Sequence, residues 1–148
     1  MATASLPNPI MDLTLTPLTG DAKTLHHWLT TFHLASVVLD PFTNESAWIL
    51  KTAARILRQF SGAAVRINFI VTCDASDARA FLGPLADEFL VFCDPDRVAV
   101  KALGLSELPA FVLIKSDGSV PIAAQGWTSA EWKEVAAAVA ALTSWSRP

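Results

Sequence analysis

The sequence is short of charge, of cysteine and of long apolar runs. Only 17% of its 148 residues are charged, against a usual share of about 25%. Apolar residues make up 52%, so a disordered chain, which is poor in apolar residues and rich in charge, is excluded. There is no basic excess either: eleven Lys and Arg face fourteen Asp and Glu, a formal charge of -3. A nucleic-acid partner, which calls for a basic face, is therefore not expected. Two cysteines, Cys73 and Cys93, are too few for a disulfide framework. No apolar run approaches the roughly 18 residues of a membrane span. The start, Met1-Ala2-Thr3-Ala4-Ser5, has neither the basic nor the apolar region of a secretory signal. These absences point to a cytoplasmic protein without a transmembrane segment.

A chain of this length suits one domain, since domains cluster at roughly 100–150 residues. Residues 1–11, with Pro7 and Pro9, read as a flexible arm, and 12–146 as the domain. Asp12 to Thr16 alternates polar and apolar and reads as a strand ended by Pro17. Thr19-Gly20-Asp21 is placed to open a helix with Leu25, Trp28, Leu29 and Phe32 on its apolar face. Leu34 to Leu39 reads as a buried strand, followed by a helix capped at Thr43 or Asn44. The apolar stripe of that helix runs Trp48, Ile49, Ala53, Ile56, Leu57, Phe60. Val65 to Cys73 and Leu90 to Cys93 read as strands on either side of one helix, capped at Ser76 or Asp77 and carrying Phe81, Leu82, Leu85 and Phe89. Asp94-Pro95-Asp96 opens a further helix that Gly104 ends. Ala110 to Ile114 and Val120 to Ala124 flank the hairpin signal Ser116-Asp117-Gly118-Ser119. Ser129 heads a last helix on which Trp132 and Trp145 fall. Such alternation predicts an α/β domain with a mostly parallel sheet, covered on both faces and closed by an antiparallel hairpin and a terminal helix.

This order, with Glu107-Leu108-Pro109-Ala110-Phe111-Val112-Leu113-Ile114, resembles the thioredoxin-like superfamily, a three-layer α/β sandwich. The stretch from Phe69 to Val120 is most similar to its peroxiredoxin and thiol-specific-antioxidant branch, through Thr72-Cys73-Asp74, Cys93-Asp94-Pro95-Asp96, Leu108-Pro109-Ala110 and Ser116-Asp117-Gly118. The resemblance implies a cis peptide bond at Leu108–Pro109. It also implies a reactive cysteine, or a Cys-x-x-Cys pair, at the start of the helix after the second strand. Residues 40–49 hold no cysteine in any register. Ser46 and Ile49 fall where the two cysteines would sit, and a serine hydroxyl cannot begin disulfide exchange. The groove beside the cis-proline binds extended peptides in this superfamily. Carried over, it would be lined or bordered by Phe42, Thr43, Ser46, Trp48, Leu108, Pro109 and Trp127.

Other candidates have plainer explanations. Cys73 and Cys93 each precede an Asp at a predicted strand end and could form a redox pair; they could equally be two buried small apolar residues. His26 and His27 are sequential and so diverge on a helix, while His33 suits a helix C-terminus; no metal and no cofactor are expected. Ser46 beside Glu45 lacks the Gly-x-Ser-x-Gly turn of a hydrolase. Ala136, Ala137, Ala138, Ala140 and Ala141 give the last helix a small-residue surface. With high mean hydropathy, that makes a protein partner or a homodimer the expectation. The function expected from the sequence is a redox-inactive thioredoxin-like domain that binds protein, as adaptor or assembly component. The alternative is an atypical thiol oxidoreductase or redox sensor using Cys73 and Cys93.

Overall fold

Strict alternation along the central strands sets the architecture, because successive side chains of a strand point to opposite faces. A computed structural model describes residues 9–144. After a 3-10 turn at Pro9–Asp12, its elements are β1 (Thr14–Pro17), β2 (Lys23–Thr24), α1 (Leu25–Leu29), β3 (His33–Leu39), α2 (Asn44–Arg58), β4 (Val65–Val71) and α3 (Ala75–Leu82). There follow α4 (Leu85–Glu88), β5 (Leu90–Cys93), α5 (Val98–Ala102), β6 (Ala110–Ile114), β7 (Ile122–Gln125) and α6 (Ser129–Ser144). One seven-stranded sheet has the order β2-β1-β5-β4-β3-β6-β7.

Ala35, Val37 and Leu39 of β3 and Phe111 and Leu113 of β6 face one core, with Ile49, Ala53 and Leu57 of α2 and Trp132, Val135 and Val139 of α6. Leu34 and Val38, with Ala110, Val112 and Ile114, face the other, covered by Leu25 and Leu29 of α1 and Ala99 and Val100 of α5. Helices thus cover both faces, in the three layers expected. The sheet is mixed rather than mostly parallel. Only β3–β4 and β4–β5 pair in parallel, and β1 joins β5 antiparallel. Periodicity reports burial and not strand direction, so the edge was not readable.

Local differences have local causes. Thr24, not the Thr19–Asp21 turn, caps α1, accepting from the His27 N–H at 3.4 Å; Phe32 lies outside the helix. β4 stops at Val71, so Cys73 lies two residues beyond the strand. Asp74 caps α3 by accepting from the Asp77 N–H at 2.9 Å. The single helix expected through Phe89 is broken at Gly83, whose φ of 57° and ψ of -130° suit glycine alone. Before α5, Pro95 lies in a turn, and the Asp94 carboxylate reaches over it to accept from Ala99 and Val100 N–H, each at 3.1 Å. Ile10 and Met11 pack on the second core, where a flexible arm was expected. The rest of that arm, residues 1–8, and Trp145 lie outside the described residues. Among the described residues no helix is long and apolar enough to cross a membrane.

Candidate functional site

The chain leaving β3 and entering α2 is a tightly bonded corner. Thr43 caps α2, accepting from the Ser46 N–H at 3.4 Å and donating to the Asp40 carbonyl at 2.9 Å. Such a cap stabilises a helix by about 1 kcal/mol. Ser46 is fully buried, and its Oγ accepts from the Asp40 N–H at 3.0 Å. The buried Asp40 carboxylate accepts from the Phe42 N–H at 3.0 Å and is paired with the Arg97 guanidinium. Arg97 bridges from just before α5 in a left-handed conformation, φ 58°. Salt bridge, cap and hydroxyl thus fill the corner with structural bonds. Ser46, expected on the groove, is a structural acceptor. Nothing in the sequence marked Arg97 as its neighbour's partner.

The two thiols are free, Cys73 buried and Cys93 half-buried. The Cys73 thiol is pushed up to about 12, first by burial, then by the field of Cys93 and of Asp77, Asp74 and Asp40. Cys93 is raised too, by burial and by Asp74, with Arg79 opposing. Thiolate is the nucleophilic form, so both environments suppress the chemistry that a redox pair requires.

The histidines stand elsewhere. His26 and His27 are exposed on α1, while the His33 ring accepts from the Ser116 N–H at 2.8 Å at the start of β3. Burial and nearby Lys115 hold His33 below its ordinary value, against an opposing Asp117.

Beside the corner, Trp48 is 76% exposed and Trp127 47%. Both line one groove of about 440 Å³ with Glu45, Ile49 and Thr52. Trp48 departs from the core stripe expected of it: Ile49, Ala53 and Leu57 point inward, and Trp48 is one residue, 100° of helix, away from Ile49. Trp127 is held from beneath. Its ring meets buried Trp132 edge-on at 5.1 Å, Trp132 meets Phe111 at 5.4 Å, and Trp132 Nε1 donates to the Gly126 carbonyl at 2.9 Å. The Leu108–Pro109 peptide bond is cis. Gln125 pairs with Ala110, so the chain leaving β7 runs alongside that proline. Gln125 Oε1 also accepts from Ser106 N–H and hydroxyl, at 2.6 and 3.0 Å. Gly126 has φ +74°, and a Cβ there would sit 2.5 Å from the Glu107 carboxylate.

Of the seven groove candidates, then, Trp48 and Trp127 come together. Phe42 is 73% exposed, Thr43 is taken up as a cap, Pro109 is buried, and Leu108 packs on the second core. Glu45, Ile49 and Thr52 were not placed on the groove from the sequence, although with Trp48 they follow i, i+3, i+4, i+7 spacing, one helix face.

The chain superposes on peroxiredoxin Q of Xanthomonas campestris, a cysteine-to-serine variant, at a TM-score of 0.73 with 20% identity, over 94% of this chain and 96% of that one. It also superposes on dsbF of Mycobacterium tuberculosis at 0.72 with 14% identity, covering 90% and 99%. The fold is thioredoxin-like. A secreted Mycobacterium tuberculosis disulfide oxidoreductase homologous to E. coli DsbE shares it, at a TM-score of 0.68 with 18% identity over 88% and 98%. No family model matches the chain, and no curated protein does. Against this thioredoxin-like frame, the cysteine-free segment 40–49 is the corner of β3 and α2 that Ser46, Thr43, Asp40 and Arg97 occupy.

Proposed function

We propose that this chain is a redox-inactive thioredoxin-like domain that binds a protein partner, as an adaptor or assembly component. The observation that carries the reading is the pair of exposed tryptophans, Trp48 and Trp127, on one groove. Large aromatics in such positions are typical anchors of protein interfaces, and their exposure has no use in folding. The corner where the superfamily's thiol chemistry begins is cysteine-free and bonded shut by Ser46 and Asp40. The remaining thiols have raised pKa values, which weighs against an oxidoreductase or sensor built on Cys73 and Cys93. A cytoplasmic location suits two cysteines that are both free. The test is direct: purified protein should reduce insulin disulfides and consume peroxide no faster than buffer. A rate well above buffer, lost on replacing Cys73 or Cys93 by serine, would reinstate the oxidoreductase.

A further inference from the structure

The groove between Trp48 and Trp127 has a chemistry that narrows its partner. Of its five lining residues, Glu45, Trp48, Ile49, Thr52 and Trp127, one carries charge, and that charge is negative. Among the described residues Glu45 makes no ion pair; the two salt bridges join Arg58 to Glu88 and Arg97 to Asp40. The Glu107 carboxylate lies against Gly126, the residue before Trp127. Elsewhere in the molecule, Arg66 stands 5.5 Å from the half-buried Trp28 ring centre and 5.7 Å from exposed Phe32. No Lys or Arg of the described residues stands over Trp48 or Trp127 in this way. Two tryptophan faces with a free carboxylate and no internal cation form an incomplete cation–π site. Trp127 is also fixed before anything binds, by its edge contact with Trp132 and by the Trp132 bond to Gly126, so little ordering entropy opposes binding there.

We propose that this groove receives a basic side chain, arginine or lysine, of an extended partner segment, with the cation at the tryptophan faces and its charge met by Glu45. The Trp48 ring and half-buried Thr52 would take the aliphatic stem, as long basic side chains lay their methylenes on apolar surface. This rests on the protein-binding reading above and adds the partner's chemistry to it.

The full-length protein is panned against a random peptide display library, and enriched peptides are resynthesised and titrated by fluorescence anisotropy. The expected result is a consensus with one basic position. Replacing that residue by norleucine, which keeps the stem and removes the cation, should weaken binding about tenfold, the effect of a cation–π contact with a partly desolvated cation. Trp48→Ala and Trp127→Ala should each weaken it similarly, and Glu45→Gln by several-fold, with the Glu45→Gln loss shrinking as salt is added. Far-UV circular dichroism of each variant checks that the fold is intact, and Glu45→Gln, at an exposed position, serves as the charge test if a tryptophan variant fails to fold. Peptides that depend on Trp48 and Trp127 yet bind equally well as norleucine analogues would overturn the basic side chain and leave the protein-binding reading standing. No enriched peptide at all would overturn both. A chain that sediments as a dimer, and becomes monomeric on Trp48→Ala, would assign the groove to a second copy and overturn the peptide.

Discussion

Replacing Ser46 by alanine removes one oxygen from the interior and leaves one amide without a partner. Ser46 is fully buried, and its Oγ is the acceptor for the Asp40 N–H at 3.0 Å in a residue that is itself buried. Stranding a buried N–H costs about 1–3 kcal/mol, more than the net worth of the bond. The Thr43 cap survives, because it uses the Ser46 amide and not the side chain. With a urea dependence of about 2 kcal/mol per M, typical of small proteins, the unfolding midpoint should fall by about 1 M. Ser46→Cys should fall in between, since sulfur is a weak acceptor. Urea unfolding followed by far-UV circular dichroism reads both shifts. A loss below about 0.5 kcal/mol for Ser46→Ala, the size of an ordinary surface substitution, would refute the structural role of this serine.

Three further outcomes follow from single contacts. Ser36 Oγ is buried without a partner on β3, opposite Asn68 of β4, whose Nδ2 donates to the Ala35 and Arg66 carbonyls at 3.4 and 3.2 Å; Ser36→Ala, which removes the unpartnered hydroxyl and leaves the Asn68 bonds in place, should be neutral or stabilising by about 1 kcal/mol in thermal unfolding. Arg97 has φ 58° and pairs with Asp40. Both Arg97→Ala and Arg97→Gly lose the pair, but only alanine keeps the left-handed strain, so Arg97→Gly should be the more stable by about 1 kcal/mol in urea unfolding. His33 has a folded pKa below its ordinary value of 6.5, so the unfolded chain takes up the proton first. The His33 contribution is therefore present above about pH 6.5 and is lost as pH falls through the lower folded value. His33→Ala should flatten the stability profile in that window, and a proton titration of the ring by NMR should return a pKa below 6.5.

Much of this molecule is legible as period. Ala35, Val37 and Leu39 against Leu34 and Val38 announce a strand buried on both faces, and β6 matches the expected Ala110 to Ile114 residue for residue. The helix start at Ser129 follows from side-chain chemistry, which also narrows the cap of α2 to Thr43 or Asn44; the structure uses Thr43. What escapes is tertiary. β2 is two residues long and leaves no pattern, and the antiparallel seat of β1 on β5 depends on where the chain can reach. Gly83-Pro84 did carry a break signal inside the helical run. Arg97 did not: arginine is not a residue that φ 58° would suggest, and the position holds because Asp40 binds its far end. In the site, Glu45, Trp48, Ile49 and Thr52 form one face of a helix and could be read together. That Trp127 stands opposite them depends on the β6–β7 register and on Trp132 beneath it, which no local spacing encodes.

The count of reactive thiols bears most directly on whether this domain binds or transfers electrons. With Cys73 pushed up to about 12 by burial and Cys93 raised as well, both are held as thiols at neutral pH. Native protein treated with a chromogenic disulfide reagent should therefore show no fast thiol, and denatured protein should show two, with or without prior peroxide. A fast native thiol, or a peroxide-driven loss of both thiols that dithiothreitol reverses, would make Cys73 and Cys93 the working site and contradict a purely binding domain.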